Sequence, residues 1–248
     1  MRYDQIDTLI SRRRLSSFQC VLATDDLKPA KLAAIEKGLG TALRGLKRNE
    51  QATGIPGMAQ CQGPRQQLNW APPAAVYVVN LYGPAEKSAE QAVSLLRERA
   101  RSLASAFRSA APVRILGLVL VSEFSDKDLK AVQPFIASFV RAPQLDPIVE
   151  GEWRVCRKVD DRYFLNWTVN SYETRELTAI VTQTPSSGPT FTTQLSEPLD
   201  KGLRLILDAN TKPAPTSGSD EDIDRLAHLV ADGIESGTKM LQEAGYEP

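Results

Sequence analysis

The sequence predicts an α+β protein in which an N-terminal αβ region is followed by an antiparallel β-meander that a C-terminal amphipathic helix covers. Three observations lead to this fold class: apolar residues at unbroken helical spacing over residues 89–107, short alternating segments between residues 152 and 208, and a second helical pattern over residues 220–244. The chain has 248 residues, of which 42% are hydrophobic and 24% charged, and this is the composition of a folded globular protein.

The first part of the chain is predicted to alternate helices with strands. In order, we expect a short helix that ends at Arg12–Arg14, a strand over 18–23, a helix from Asp26 to Leu46 and a strand over 76–82. Residues 47–73 are rich in glycine and proline, which predicts a long irregular stretch, unusual unless it is functional or contains a short strand such as Gln66 to Trp70.

The helix over residues 89–107 is the most regular predicted element. Its apolar face consists of Ala89, Ala92, Val93, Leu96, Ala100, Leu103, Ala104 and Phe107. A continuous apolar strand over 113–121 follows, and we expect it to be buried on both faces. Ser125 and Asp128 then resemble a capping box, which predicts a helix through Val140.

Antiparallel strands dominate the prediction for the second half. Strands over 152–159 and 163–172 flank Asp160-Asp161 and predict a hairpin, and further strands are expected over 177–182, 191–195 and 203–208. Alternation places Tyr163, Leu165, Trp167 and Val169 on one face of the hairpin. The last helix presents Ile223, Leu226, Ala227, Val230, Ile234 and Leu241 on one side. Its first turn is acidic, with Asp220, Glu221, Asp222 and Asp224.

Charge divides the chain into two halves. Residues 1–112 hold 16 of the 30 basic and 9 of the 30 acidic residues, a net charge of about +7, whereas residues 113–248 carry about −7. We therefore describe 1–112 as a basic αβ region and 113–248 as an acidic region of antiparallel sheet plus C-terminal helix; one continuous domain is the alternative. The opposite net charges of the two halves predict either two faces with different contacts or one half that meets the other across an interface.

The order of elements in the last two thirds of the chain resembles a known family. Ser88–Val121 supplies a helix and a strand with Arg114, Gly117 and Leu118, and residues 203–208 precede the helix from Asp220. This succession resembles a family of uncharacterised bacterial proteins of about this length, which is distributed sporadically among genomes. The chain differs from the family in lacking a proline-led strand near its start and in the apolar continuation of its buried strand. The resemblance implies an α+β fold and a bacterial setting, and it supplies no established active site.

Few side chains are available for nucleophilic catalysis. His228 is the single histidine, and it lies about 140° from Ile223 around the last helix at about 100° per residue. We interpret it as a surface side chain on the flank of that helix, not as the base of a catalytic triad. Cys20, Cys61 and Cys156 are odd in number and lack metal-type spacing, which predicts reduced thiols in a cytoplasm.

Motifs for phosphate, acyl-transfer and metal chemistry are incomplete. Gly38-Leu39-Gly40 lacks the dinucleotide-binding spacing, and Ser236-Gly237-Thr238-Lys239 lacks the companion motifs of the penicillin-recognising enzymes. Carboxylates follow two predicted strands, as a metal site requires, but caps and solvated loop charges explain them better. These residues are Glu123, Asp126, Asp128 and Asp208, with Asn210 beside the last. We predict no catalytic residue, no cofactor and no metal ligand.

A basic face on the most regular helix is the best candidate for binding. Arg97, Arg101 and Arg108 align along it, and nucleic-acid phosphates or an acidic protein would pair with such a stripe. The sequence pI is about 6.6 and no stacking aromatic residue lies within the basic runs, which argues against nucleic acid. The three arginines are therefore candidate contacts for nucleic acid or for a protein partner.

These observations favour a non-catalytic interaction or adaptor subunit in a bacterial cytoplasm, within a defence or toxin–antitoxin type of system. It would contact another protein or itself through complementary charge. Two alternatives remain open: a nucleic-acid-binding accessory protein that uses the arginine face, and an enzyme whose carboxylate-based site is not visible in the sequence. No apolar run has the length of a membrane span, and the start lacks the apolar core of a signal peptide, so no membrane partner is expected.

Overall fold

A computed structural model describes residues 12–24, 35, 37–39, 43, 45–48, 59–71, 74–108, 112–125, 152–184, 188–211 and 219–244. The strands in this part of the chain are β1 (Arg13–Thr24), β2 (Lys47–Arg48), β3 (Ala59–Gly63), β4 (Gln66–Ala71), β5 (Ala74–Asn80), β6 (Val113–Ser125), β7 (Glu152–Lys158), β8 (Tyr163–Thr174), β9 (Leu177–Thr184), β10 (Gly188–Leu195) and β11 (Asp200–Thr211). The helices whose two ends both lie in the described ranges are α1 (Pro84–Lys87), α2 (Ala89–Arg108) and α3 (Asp220–Ala244), and residues 35 and 37–39 are also helical.

Nine of these strands form one sheet in the order β2-β3-β4-β5-β1-β6-β11-β8-β7, and all neighbours are antiparallel. Strands from both charge halves share this sheet, because β1 pairs with β6. β11 lies between β6 and β8, and the hairpin of β9 and β10 forms a separate two-stranded sheet. The structure confirms the predicted α+β class with its antiparallel strands and C-terminal helix.

Helices α2 and α3 cover one face of the large sheet, and the hydrophobic core lies between them and the sheet. α2 packs on β1 and β6, whereas α3 packs on β6, β8 and β11 and also on α2. The predicted apolar face of α3 is buried at all six positions, Ile223, Leu226, Ala227, Val230, Ile234 and Leu241. The sheet meets the helices with Phe18, Tyr77, Leu120, Trp167, Leu205 and Leu207. Burying one large aliphatic side chain stabilises a fold by about 1.5–3 kcal/mol, so α3 is an integral part of the core.

The largest difference from the sequence predictions concerns the start of the chain. Arg13 and Arg14 belong to β1 and do not end a helix, because Arg14 pairs across the sheet with Glu123 on β6. Residues 47–73 also contain more order than their glycines and prolines suggest, namely β2, β3 and β4, and the predicted short strand from Gln66 to Trp70 is confirmed.

The helices predicted around residues 26–46 and 125–140 are described only in part. Ile35, Leu39 and Leu43 are buried, and Leu43 N donates to Leu39 O at 2.7 Å. Ser125 ends β6, and Asp128 and the helix through Val140 lie outside the described residues. No helix among the described residues is long and apolar enough to cross a membrane.

Candidate functional site

The three arginines predicted as binding residues contact carboxylates of their own chain. Arg101 Nη2 lies 2.6 Å from both Asp224 oxygens, and Arg97 Nε lies 3.5 Å from Asp224 Oδ1. Arg108 Nη2 lies 2.9 Å from Asp220 Oδ1. We call these five residues the ionic seam. It joins the side of α2 to the first turn of α3.

Helix geometry explains the ionic seam. At about 100° per residue, Arg97, Arg101 and Arg108 fall within about 40° of one another on α2. The acidic first turn of α3, which the helix dipole already favours, lies against this face. All five side chains are between about one third and three fifths exposed, so each pair contributes about 0–1 kcal/mol. The sequence identified the arginines but not their partners, although the opposite charges of the two halves indicated that such an interface was available.

Asp222 forms a second polar cluster where α3 begins. Ser219 and Asp222 form a reciprocal cap: Asp222 N donates to Ser219 Oγ at 3.2 Å, and Ser219 Oγ donates to Asp222 Oδ2 at 2.9 Å. The other carboxylate oxygen, Oδ1, accepts hydrogen bonds from Tyr163 Oη at 2.7 Å and from Arg162 Nη2 at 3.0 Å. This cluster fastens the β7–β8 turn to α3.

Titration of the Asp222 cluster follows from its hydrogen bonds. Burial alone raises the pKa of Asp222, but hydrogen bonds from Tyr163 and Ser219 and the charge of Arg162 outweigh it, so the net pKa is lowered. Burial and the bond to Asp222 raise the pKa of Tyr163 to about 12. With Ser219 N also donating to Oδ2 at 3.2 Å, the carboxylate accepts four hydrogen bonds and has no free acceptor site. Asp222 therefore has a structural role and is not a general base. The Ser-x-x-Asp spacing before an apolar run indicates this structural role in the sequence, because it is the pattern of a capping box.

His228 is exposed on the flank of α3, as predicted. It lines two clefts. One has a volume of about 580 Å³ and includes Arg162 and Asp222, and the other has about 540 Å³ and lies between α2 and α3 beside Arg97. Cys20 and Cys61 are buried, and Cys156 is exposed. The described lining of both clefts contains no cysteine, so a Cys-His pair does not form there.

The carboxylates considered for a metal site do not converge where the structure describes them. Glu123 is only 7% exposed, and its two oxygens bind Arg14 at 2.7 Å and Arg204 at 2.9 Å. Asp208 instead accepts hydrogen bonds from Asn166 and Asn210. Asp208 pairs with Val119, four residues from Glu123 along β6, which separates the two carboxylates by about 13 Å.

No described group of three histidine, cysteine or acidic residues is arranged to hold a metal ion. Asp126 and Asp128 lie outside the described residues.

The Ser236-to-Lys239 motif is part of the α3 packing. Ser236 Oγ donates to Asp232 O and Thr238 Oγ1 donates to Ile234 O, both at 2.8 Å, as hydroxyls within helices commonly do. A Cβ at Gly237 would lie 2.9 Å from Leu205 Cδ2 and 3.0 Å from Trp167 Cδ1. The glycine therefore lets α3 approach the sheet closely.

Comparisons with known proteins give no family. No protein-family model and no curated protein matches the chain. Among solved structures, the rolling circle replication initiator protein from Geobacillus stearothermophilus is similar over 90% of this chain and 80% of its own, with 10% identity and a TM-score of 0.33. Crystal form I of TP0453 is similar over 88% of this chain and 93% of its own, with 11% identity and a TM-score of 0.17. Both TM-scores are too low to indicate a common fold or function.

Proposed function

We propose that this protein is a non-catalytic interaction subunit that pairs with a second copy of itself through the hairpin of β9 and β10. One observation carries the proposal: this hairpin pairs with no other strand in the described part of the chain. Each of its two strands therefore has an outer edge of backbone N–H and C=O groups available for another strand. The hairpin extends from the end of the β8–β11 pair, where Ser196 N donates to Glu176 O at 2.9 Å. A ribbon of only two strands is marginally stable in water, so a partner strand would stabilise it.

The composition of the hairpin supports self-pairing. Residues 177–195 contain no Asp, Glu, Lys or Arg, and the nearest charges are Arg175, Glu176 and Glu197. In a two-fold symmetric contact the same segment meets itself, so any charge at its centre would face an identical charge. Edge strands of monomeric proteins commonly carry lysine or another charge that blocks such pairing. Here only Pro189, at the start of β10, interrupts the edge.

Charge has a different role in this proposal from the one the sequence predicts. Because the ionic seam pairs Arg97, Arg101 and Arg108 within the chain, these arginines are not free for a partner without breaking those pairs. An uncharged hairpin contact would depend little on ionic strength, whereas a charge-complementary contact weakens as salt rises. The bacterial setting and a defence or toxin–antitoxin system are part of the proposal only through the family resemblance, and the cytoplasm only through the pattern of cysteines.

Sedimentation equilibrium of the purified protein at low and high salt tests this function. The wild-type protein should be a concentration-dependent dimer at both salt concentrations. Thr192→Lys places a charge at the middle of β10 and should shift the equilibrium towards monomer, while Thr174→Lys, an exposed change on β8 of the main sheet, should leave the dimer intact. A wild-type monomer at all concentrations, or a dimer that Thr192→Lys leaves unchanged, contradicts the proposal.

A further inference from the structure

A third cleft, with a volume of about 520 Å³, lies on the side of α2 away from the ionic seam. Arg97 and Arg99 are about 200° apart around this helix, so Arg97 meets α3 while Arg99 lines the cleft. The β3–β4 turn, the end of β5 and the segment before α1 complete the wall, with Arg65 and Tyr82 among the lining residues.

Arg65 and Tyr82 form a stacked pair at the mouth of this cleft. The guanidinium carbon of Arg65 lies 4.5 Å from the centroid of the Tyr82 ring. Tyr82 is 59% exposed, so much of its ring remains available to a second planar group. Arg65 and Tyr82 are 17 positions apart in the chain. They come together because β4 pairs with β5 in a register that places Gln66 opposite Val79. The sequence interpretation, which found no aromatic residue among the basic runs, missed this pair because only strand pairing creates it.

The backbone of Arg65 is held in an unfavourable conformation. Its φ of 60° is the only positive φ of a non-glycine residue in the described chain. Pro64 and Arg65 link β3 to β4 in the pattern of a type II turn, whose third position favours glycine. Arg65 O accepts a hydrogen bond from Asn80 N at 2.8 Å, which fixes the turn. Arginine at a position whose left-handed backbone conformation favours glycine indicates a functional role for the arginine side chain.

Arg99 supplies a second positive charge, and no carboxylate lies beside it in the described lining of the cleft. It makes no hydrogen bond or ion pair with another residue in the described ranges, in contrast to Arg97 and Arg101 on the opposite side of α2. Its charge reaches Tyr77, whose hydroxyl donates to Gln66 Oε1 at 2.7 Å; burial raises the pKa of Tyr77 to about 12, and Arg99 opposes this rise. The described lining of the cleft contains two arginines and no carboxylate, so the cleft is suited to an anion.

We propose that this cleft binds a nucleoside phosphate, either free or within a single-stranded nucleic acid, with the base stacked on Tyr82 and phosphate oxygens bound by Arg65 and Arg99. Arginine donors match phosphate geometry, and an exposed aromatic ring accepts any base through its π-face. The apolar side chains of Val79 and Leu95 in the lining favour a planar base over an acidic peptide, which would present carboxylates without a ring. This site is separate from the β9–β10 hairpin, so it does not depend on the proposed self-pairing.

Fluorescence anisotropy with the full-length protein and a labelled single-stranded oligonucleotide of mixed sequence tests the site. Wild-type protein should bind at low salt and lose affinity as salt rises. Competition distinguishes the two sources of ligand: a mononucleotide that displaces the oligonucleotide at similar concentration indicates a free nucleotide ligand, whereas displacement only by longer strands indicates single-stranded nucleic acid. Inorganic phosphate alone should compete weakly, because it cannot stack on Tyr82.

Arg65→Gly is the most informative variant. Glycine suits the left-handed turn, so the melting temperature should stay equal or rise, while the slope of log affinity against log salt should fall by about 0.7 for one lost phosphate contact with a single strand. Tyr82→Leu should weaken binding by roughly 5- to 150-fold, the effect of losing one base stack, and Tyr82→Phe should retain wild-type binding. Arg154→Ala, which removes an exposed arginine from β7, serves as the charge-matched control and should bind like wild type.

Three results would overturn the proposal. The first is wild-type protein that binds neither the oligonucleotide nor the mononucleotide at low salt. The second is binding that Arg65→Gly and Tyr82→Leu both leave unchanged. The third is equally tight binding of a polyglutamate probe that survives Tyr82→Leu, which would indicate an acidic protein ligand instead.

Discussion

Arg101 on α2 and Asp224 on α3, 123 residues apart in the chain, meet with Arg101 Nη2 at 2.6 Å from both carboxylate oxygens. This contact joins the basic half of the sequence to the acidic half within one molecule. Together with Arg97 and Arg108 it places the positive face of α2 against the first turn of α3. Part of the charge division in the sequence is therefore explained by how the chain packs on itself.

Reversing one charge of this contact should destabilise the protein, and reversing both should restore it. Arg101→Glu would place a second carboxylate beside Asp224, and we expect a loss of about 1 kcal/mol in the free energy of unfolding, because the pair is partly exposed. The double variant Arg101→Glu with Asp224→Arg should recover most of that loss. Urea unfolding at low salt measures both. Equal losses that simply add in the double variant would show that the pair does not interact.

Sequence patterns predicted the local elements of this fold better than its strand pairing. The α2 and α3 helices follow from apolar spacing within a few turns, and their ends agree within one or two residues. The position of β11 between β6 and β8 depends on contacts across many residues, which no local pattern encodes.

The same limit applies to the sites. Arg97, Arg101 and Arg108 stand out on a helical wheel, but their partners Asp220 and Asp224 follow more than a hundred residues later. Likewise, nothing in the sequence connects Glu123 on β6 with Arg14 on β1 and Arg204 on β11 before the sheet is assembled. Side chains that meet only through strand pairing require the structure.

Gly237→Ala should destabilise the protein, although alanine is the better helix former by about 1 kcal/mol. The new methyl group would lie 2.9 Å from Leu205 Cδ2 and 3.0 Å from Trp167 Cδ1, so α3 or the Trp167 ring must move. Movement there also strains the hydrogen bond that Trp167 Nε1 donates to Gly233 O at 3.1 Å. We expect a lower melting temperature and a changed Trp fluorescence. Ser236→Ala, an exposed change on the same turn, is the control and should leave both unchanged or raise stability slightly.

The Asp222 cluster should make stability depend on pH at both ends of the scale. Because the folded pKa of Asp222 is lowered, its contribution is present above the unfolded value of about 3.9 and is lost as pH falls through the folded value. Because the pKa of Tyr163 is raised to about 12, its contribution is present below the unfolded value of about 10 and is lost between there and about pH 12.

Two variants separate these contributions. Asp222→Asn should have a lower free energy of unfolding than wild type at neutral pH, and this difference should become smaller as pH falls below about 4. For Tyr163→Phe, the difference in free energy of unfolding from wild type should instead become smaller above about pH 10. Chemical unfolding at a series of pH values measures both differences. Differences that stay constant across the whole pH range would contradict the proposed contributions of Asp222 and Tyr163.

Val230→Asp tests whether α3 closes the sheet or serves as a docking element. Val230 is fully buried against the core, so an aspartate there would bury an unpaired charge or expel the helix from the sheet. Truncation of a large buried side chain typically costs about 2–5 kcal/mol, and a charge should cost at least as much, so we expect a protein that is unfolded or melts far below wild type. His228→Ala on the exposed flank of the same helix should melt like wild type. If Val230→Asp instead kept the wild-type melting curve and removed only self-association, α3 would be a docking element. Loss of a catalytic activity in a stable His228→Ala protein would equally overturn the non-catalytic interpretation.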